Sequence, residues 1–546
     1  MATLVFNGER IEVQVGESIF DGADRAQGGT TEIATSCERD GSCKECIVQV
    51  TRGSDALTEY TDHEVFLKGQ SHDGDQVFRL ACQARFAQPD AVVKVETFKR
   101  KLEIAVNGRP VSDLLEPWII SSNGHVHCDG KQIADHVGPL YGLALDVGTT
   151  TVVMHVVDLE SGELIAVQAF ENPQKYAGSN VMHRISYDYA HPGQLHRTII
   201  SHINEAIRNL PIDKQTIFGI TVAGNPTVRD LFFGLDVQTI GKGPYVSQTQ
   251  IDVEAGRRET TALWATAESL GLQTHPQARV YGLPLVSNHV GADTAAVLGT
   301  IINGHENGPF MVVDIGTNTE VAIGQGNRLI CASCPAGPAF EGGQLSCGMP
   351  ASQGAITTMR RHNGQWKLSW IGSGSARGLC GSGLVDILAE LRASGEMDEL
   401  GRFQNHTAQV MIQEEPALSF TRSDASELAQ AKAANAVGQW ILLRTFGISI
   451  AQVETFYLAG AFANKINLAN ARQIGLIPPI ADDRVIRIGN ASIEGAKAAL
   501  LSRTCRDRIE SLVRTVCHVE LEQEPDFFEL YVEMGHFKPM PTRQPQ

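Results

Sequence analysis

Four cysteines set the first limit on what this chain can fold into. Cys37, Cys43 and Cys46 are spaced C-x5-C-x2-C, and Cys82 follows at a distance in Arg79-Leu-Ala-Cys-Gln83. Clustered cysteines in a reducing compartment more often bind metal than form disulfides. The loop Cys37-Glu-Arg-Asp-Gly-Ser-Cys43 carries Gly41 and Ser42, small residues that let backbone N–H groups turn toward thiolate sulfurs and stabilise their charge. A structural zinc usually pairs two C-x2–4-C knuckles, whereas this segment has one such knuckle with a long arm on either side. Buried, unligated thiols are the other alternative.

Four thiolates suffice for two irons bridged by two sulfides, and the spacing is one residue longer at the first gap than the C-x4-C-x2-C…C run of plant-type ferredoxins. The surrounding pattern reads strand, Asn7-Gly8 turn and strand from Leu4 to Val15, a helix over Ser18 to Ala26, the cysteine loop, and a strand over Ile47 to Thr51. That order resembles a β-grasp fold. Residues 1–97 are therefore expected to form a ferredoxin-like domain holding a 2Fe-2S cluster on Cys37, Cys43, Cys46 and Cys82. This unit has 17 acidic and 9 basic residues, about half of the chain's whole acidic excess, and a basic docking face on a redox partner would complement it.

At 546 residues more than one folding unit is expected. The chain has 62 acidic against 45 basic residues and no long Lys/Arg run, so nucleic acid and anionic membranes are excluded as natural partners. Met1 to Val15 alternates as a strand does and lacks the features of a secretion signal. No apolar run reaches the ~18 residues that cross a bilayer. A cytoplasmic protein is expected.

Residues 98–140 are expected to be a connector with small strands, opening with the basic run Lys99 to Lys101 and broken by Asn107-Gly-Arg-Pro110 and Asn123-Gly124. From Tyr141 the text turns to an α/β pattern, with helix-like stretches at Arg197 to Asn209, Ala425 to Phe446 and Ile493 to Ser502. Within it one signature occurs twice, about 170 residues apart: Leu143-Ala-Leu-Asp-Val-Gly-Thr-Thr-Thr151 and Met311-Val-Val-Asp-Ile-Gly-Thr-Asn-Thr-Glu320. Each is an apolar strand ending in Asp-x-Gly-Thr. The repeat predicts a duplicated fold of two facing lobes, residues 141–305 and 306–546, the second with a C-terminal extension. Such hairpins bind phosphate: Gly148 and Gly316 permit the turn, the tips Thr149, Thr150, Thr317 and Asn318 offer N–H and hydroxyl groups, and Asp146 and Asp314 hold Mg2+ directly or through water.

The paired hairpins resemble the phosphate loops of the family that unites acetate and sugar kinases, heat-shock chaperones and actin, which implies a duplicated ribonuclease H-like fold that binds ATP with Mg2+. Tyr457-Leu-Ala-Gly-Ala-Phe-Ala-Asn464 is similar to that family's adenosine loop, with Gly460 and Asn464 at the nucleoside, and Gly489-Asn-Ala-Ser-Ile-Glu-Gly-Ala496 to its hinge helix. Gly378, Gly381 and Gly383 form a further glycine-rich turn that either cradles phosphate or ribose or simply starts a helix.

An iron-sulfur domain fused to this fold narrows the match. With Asn172-Pro-Gln174, Gly224-Asn-Pro-Thr227, Gly291-Ala-Asp293, Ala336-Gly-Pro-Ala-Phe-Glu-Gly342 and Gly348-Met349, the whole chain resembles the reductive activators of corrinoid proteins. The resemblance implies ATP-dependent transfer of an electron to Co(II) of a corrinoid methyltransferase protein, an upstream reductase or ferredoxin as donor, and a homodimer. It also implies that Asp293 orients a water for hydrolysis. Activators of this kind tend to carry two serines before the Ala-Gly-Pro-Ala-Phe-Glu-Gly segment, in a loop expected to face the cobalt; here the pair is Ser333-Cys334, with Ser333 the conservative candidate for a cobalt ligand and Cys334 a stronger one. Cys331, Cys334, Cys347 and Cys380 fit no common ligand spacing and are expected to be packing residues. Three other readings are an ATP-gated electron donor of the 2-hydroxyacyl-CoA dehydratase activator type, a small-molecule kinase with a redox-sensing domain, and a non-enzymatic, chaperone-like module with the iron domain as a docking tag.

Overall fold

The computed structural model describes every residue except 30, 32, 36, 70–76, 99–114, 288, 303–307, 363, 405–406, 461–462 and 543–546. The basic run Lys99 to Lys101, the Asn107 to Pro110 turn, and Ala461 and Phe462 of the adenosine-loop segment lie outside the described residues.

The N-terminal strands form one five-stranded sheet in the order Glu9–Val13, Ala2–Phe6, Val92–Glu96, Ile47–Arg52, Val77–Leu80. Ala2–Phe6 runs parallel to Val92–Glu96, and the other neighbours are antiparallel. Alternation puts Leu4, Phe6, Ile11 and Val13 inside, under the helix Ile19–Ala26. Ser18 caps that helix by accepting the Asp21 N–H at 3.0 Å, the role its hydroxyl suits before an apolar run. The β-grasp core continues past its own sheet: Tyr176, Ala177, Ile185 and Tyr187 of the next unit join the same apolar cluster, and Tyr176 meets Phe66 edge to face at 6.0 Å.

Two six-stranded sheets follow, built alike. The first runs Leu164–Glu171, Thr151–Asp158, Tyr141–Val147, Ile217–Ala223, Arg279–Gly282, Leu263–Thr266, and the second Cys517–His518, Arg328–Cys334, Thr319–Gln325, Phe310–Ile315, Thr455–Ala459, Val485–Gly489. In each, an antiparallel meander of three strands is joined through its first strand to two parallel ones. This is a duplicated ribonuclease H-like topology, and the Asp-x-Gly-Thr turns fall at the same hairpin of both copies.

Helices Ala292–Ile301 and Ala491–Leu501 cross between the lobes. Val297, Leu298 and Ile301 enter the apolar cluster of Phe310, Val312 and Ala459, while Ile493, Ala496 and Leu500 enter that of Ala144 and Phe218. The crossing is close because position 495 is glycine; a Cβ there would sit 2.3 Å from the Ala296 carbonyl oxygen. A small sheet, Ile119–Ser122, His125–Cys128 and Lys131–Asp135, is bolted to this region by the fully buried Trp118, which donates its indole N–H to the Ala499 carbonyl at 2.9 Å.

Candidate functional site

The cysteine loop brings its thiols together in two pairs. Cys46 and Cys82 are buried with their sulfurs 3.3 Å apart, and half-buried Cys37 and Cys43 each lie 3.9 Å from the Thr35 hydroxyl. Gly41 takes φ +87°, and a Cβ there would press on the Gln83 side chain at 3.0 Å, the side chain that donates to Cys82 Sγ at 3.4 Å. Burial acts to raise the Cys37 thiol, but hydrogen bonds from the Cys43 and Gly41 backbones and the Cys43 side chain carry it below its usual value. In the other pair the thiol–thiol hydrogen bond draws Cys82 down to about 7 and pushes Cys46 up. Among the described residues no three His, Cys, Asp or Glu side chains converge on one point as a closed zinc site would need. Two irons with four thiolates between them are suited by two pairs, and the donor set fits a 2Fe-2S cluster.

The two Asp-x-Gly-Thr hairpins face each other across a cleft of about 140 Å³ lined by Asp146, Asp293, Asp314 and Glu320. Backbone packing explains the glycines: a Cβ on Gly148 would meet the Thr151 carbonyl at 2.7 Å, and one on Gly460, at φ +106°, the Ile315 carbonyl at 2.3 Å. The first hairpin is braced from behind. Asn172 donates to the Gly148 carbonyl at 2.8 Å, Asn225 to the Thr149 hydroxyl at 2.8 Å, and the buried Arg184 guanidinium to the Thr149 carbonyl at 2.6 Å. Asp146 accepts from Asn490 and Ser492, both at 2.9 Å. Burial raises all four acids; neighbouring carboxylates add to it for Asp293, pushed to about 7, and Asp314, pushed to about 8. Crowded carboxylates, with no Lys, Arg or His among the described residues that line the cleft, are a donor set suited to Mg2+, while the Thr and Asn groups of the hairpin tips suit phosphate.

Gly460 thus lines the cleft with Asp146, Asp293, Asp314, Gly148, Thr149, Thr150, Gly316, Thr317 and Asn318. The other candidates lie elsewhere. Ser333 is half-buried: it lies across from Glu320 in paired strands and donates to that cleft carboxylate at 3.3 Å. Cys334 is only 1% exposed and packs on Gly438, so its thiol reaches no partner's cobalt without unpacking the core. Gly378, Gly381 and Gly383 do not line the cleft; the turn starts the helix Gly381–Ala393, the second of its two readings, and Gly378 packs on the Cys347 carbonyl and Gly383 on that of Ile356, where a Cβ would come within 2.9 and 2.4 Å. Asn464 is exposed, its carbonyl accepting from Arg487 at 3.2 Å. The residues missed in the sequence are Glu320, Glu341, Asn225, Asn490 and Ser492, which lay inside or beside quoted motifs but face the cleft only once distant strands and helices pack.

A second cavity, about 700 Å³, opens beyond the hairpins. Gln49 and Glu96 of the β-grasp sheet, Thr149, Thr150 and Lys175 of the first lobe, and Glu341 to Ser346 of the second share its wall. Lys175 spans the junction, donating to Gln49 Oε1 at 2.9 Å and pairing with Glu171.

Fold and site together define an iron-sulfur protein with an ATP-binding, two-lobed domain. The 2Fe-2S iron-sulfur cluster binding domain matches residues 5–87, the RACo middle region residues 141–302, and the C-terminal domain of RACo, the ASKHA domain, residues 308–544. The chain belongs to the family of reductive activators of corrinoid proteins. It is 31% identical to the corrinoid activation enzyme RamQ of Eubacterium limosum over 75% of this chain and 73% of that one, and 24% identical to the [Co(II) methylated amine-specific corrinoid protein] reductase of Methanosarcina barkeri over 72% and 76%. Its fold matches that of a solved reductive activator for corrinoid, iron-sulfur protein with a TM-score of 0.71 and 24% identity, over 99% of both chains. Among the described residues no helix is long and apolar enough to cross a membrane.

Proposed function

We propose that this protein uses ATP to drive an electron onto the Co(II) of a partner corrinoid protein, returning it to Co(I) for methyl transfer. The observation that carries this reading is the shared wall of the 700 Å³ cavity, where the β-grasp sheet, the first phosphate hairpin and the second lobe meet. When bound, the cluster supplies single electrons. Cys37, Cys43, Cys46 and Cys82 hold it, and the half-buried Cys37–Cys43 side leaves an edge toward the surface.

Thr149, Thr150, Thr317 and Asn318 hold the phosphates, Asp146 and Asp314 the Mg2+, and Asp293 a water for hydrolysis. Each ~59 mV by which the donor falls short is a tenfold adverse ratio. ATP offsets it by binding one conformation of the two lobes better than another, the only way a ligand shifts such a balance. The relatives' names support the corrinoid partner, and the family resemblance supports a homodimer in the cytoplasm fed by an upstream reductase or ferredoxin.

The test is anaerobic mixing of reconstituted protein, a low-potential reductant, Mg·ATP and a corrinoid protein, while following the Co(I) absorption band. The band should grow with ATP and not without it. ATP loss matched by a phosphorylated small molecule, with no Co(I), would favour a kinase instead.

A further inference from the structure

Glu341 ends the short helical turn Ala339–Glu341 and reaches between the two hairpin tips. Its Oε2 accepts from the Thr150 hydroxyl of the first lobe at 2.6 Å and from the Thr317 hydroxyl of the second at 2.7 Å; those hydroxyls are 2.9 Å apart. One carboxylate oxygen therefore occupies the position from which both tips can be bridged by an anion. Phosphate oxygens seek the same donors, and a second anion there would meet Glu341 at close range.

We infer that Glu341 holds a phosphate's place between Thr150 and Thr317 and is displaced when Mg·ATP binds, so that nucleotide occupancy is passed to the loop of residues 342–350. The loop's geometry makes the two moves one. Gly342, next to Glu341, has φ +85° and packs so tightly on Met349 that a Cβ would lie 2.4 Å from that residue's carbonyl oxygen. Ser346 is tied to Asp424 by its N–H at 2.6 Å and its hydroxyl at 2.7 Å, which gives the loop a fixed far end. Between these points, residues 342–346 line the same cavity as Gln49, Thr51, Phe78 and Glu96 of the β-grasp domain. A departure of Glu341 is felt on the face that meets the electron-carrying unit. This inference rests on the reading of the hairpins as phosphate loops.

Calorimetry of wild type and Glu341→Gln with Mg·AMPPNP and Mg·ADP tests it. The isosteric amide removes the competing charge, so AMPPNP should bind about tenfold tighter, ~1.4 kcal/mol, with a smaller gain for ADP. In the wild type, hydrogen exchange in residues 339–348 should quicken when AMPPNP is added. Unchanged or weaker AMPPNP binding by the variant overturns the inference, as does exchange in that segment that ignores nucleotide. A wild type that binds neither nucleotide overturns the phosphate-loop reading itself, and this inference with it.

Discussion

Asn490 of the second lobe donates its side-chain amide to Asp146 of the first at 2.9 Å, so the residue expected to hold Mg2+ in one lobe is oriented by the other. The same Asn490 caps helix Ala491–Leu501, its Oδ1 accepting the Ile493 N–H at 3.1 Å. One side chain thus links the helix start, the junction of the lobes and the orientation of Asp146.

Asn490→Ala should cost about 1 kcal/mol of stability through the lost cap. It should also weaken Mg·ADP binding by roughly five- to tenfold, because a buried carboxylate loses one of its two side-chain donors. Thermal unfolding and calorimetry check the two effects separately.

Arg79 and Glu64 form a buried pair at 2.8 Å, 2% and 0% exposed, and Glu64 also accepts the Leu80 N–H at 3.0 Å on the strand that leads to Cys82. Arg79→Met leaves the buried carboxylate without its cation, and the iron-sulfur domain should lose about 3 kcal/mol. Replacing both partners by apolar residues should cost less than Arg79→Met alone. Denaturant titration followed by the cluster's visible absorption measures both.

Asp293 and Asp314 are raised to about 7 and about 8, by burial first and by surrounding charge second. Unfolded, each would ionise near pH 4. Their contribution to stability is therefore complete below about pH 4 and is lost as pH rises through about 7 and 8, since the unfolded chain has already released protons that the folded one keeps. Metal-free protein should lose stability from about pH 5.5 to about pH 8, on the order of 1 kcal/mol per pH unit for each group, and Mg·ADP should flatten the slope. A pH series of melting curves with and without Mg·ADP reads this directly.

Gly495→Ala forces a methyl into the 2.3 Å space against the Ala296 carbonyl and should push the two inter-lobe helices apart. The expected loss is about 1–3 kcal/mol, seen as a lower Tm.

The fold was legible where local pattern and tertiary position coincide. The Asp-x-Gly-Thr repeat announced two copies of one hairpin, and both sheets carry it at the same place. The stretch Ser18 to Ala26 reads as a helix, and the helix runs Ile19–Ala26 with Ser18 as its cap. What stayed hidden depends on pairing across distance. Nothing near Ser333 states that Glu320 will lie opposite it, yet that register gives the serine a cleft acid as its hydrogen-bond partner. Gly378 and Gly383 carry the composition of a phosphate cradle, yet close backbone contact is an equal reason for glycine, and packing decided it. Glu341 sat in a quoted motif, but its place between the tips follows from a chain turn that local pattern does not encode.

The central claim is that the nucleotide cleft controls delivery of the electron without building the cluster. Asp314→Ala tests it in the anaerobic assay with a corrinoid protein. The variant should keep the wild-type cluster spectrum while ATP-dependent Co(I) absorption falls by roughly 100-fold or more. Co(I) appearing at the wild-type rate in a variant that no longer binds Mg·ATP would contradict it.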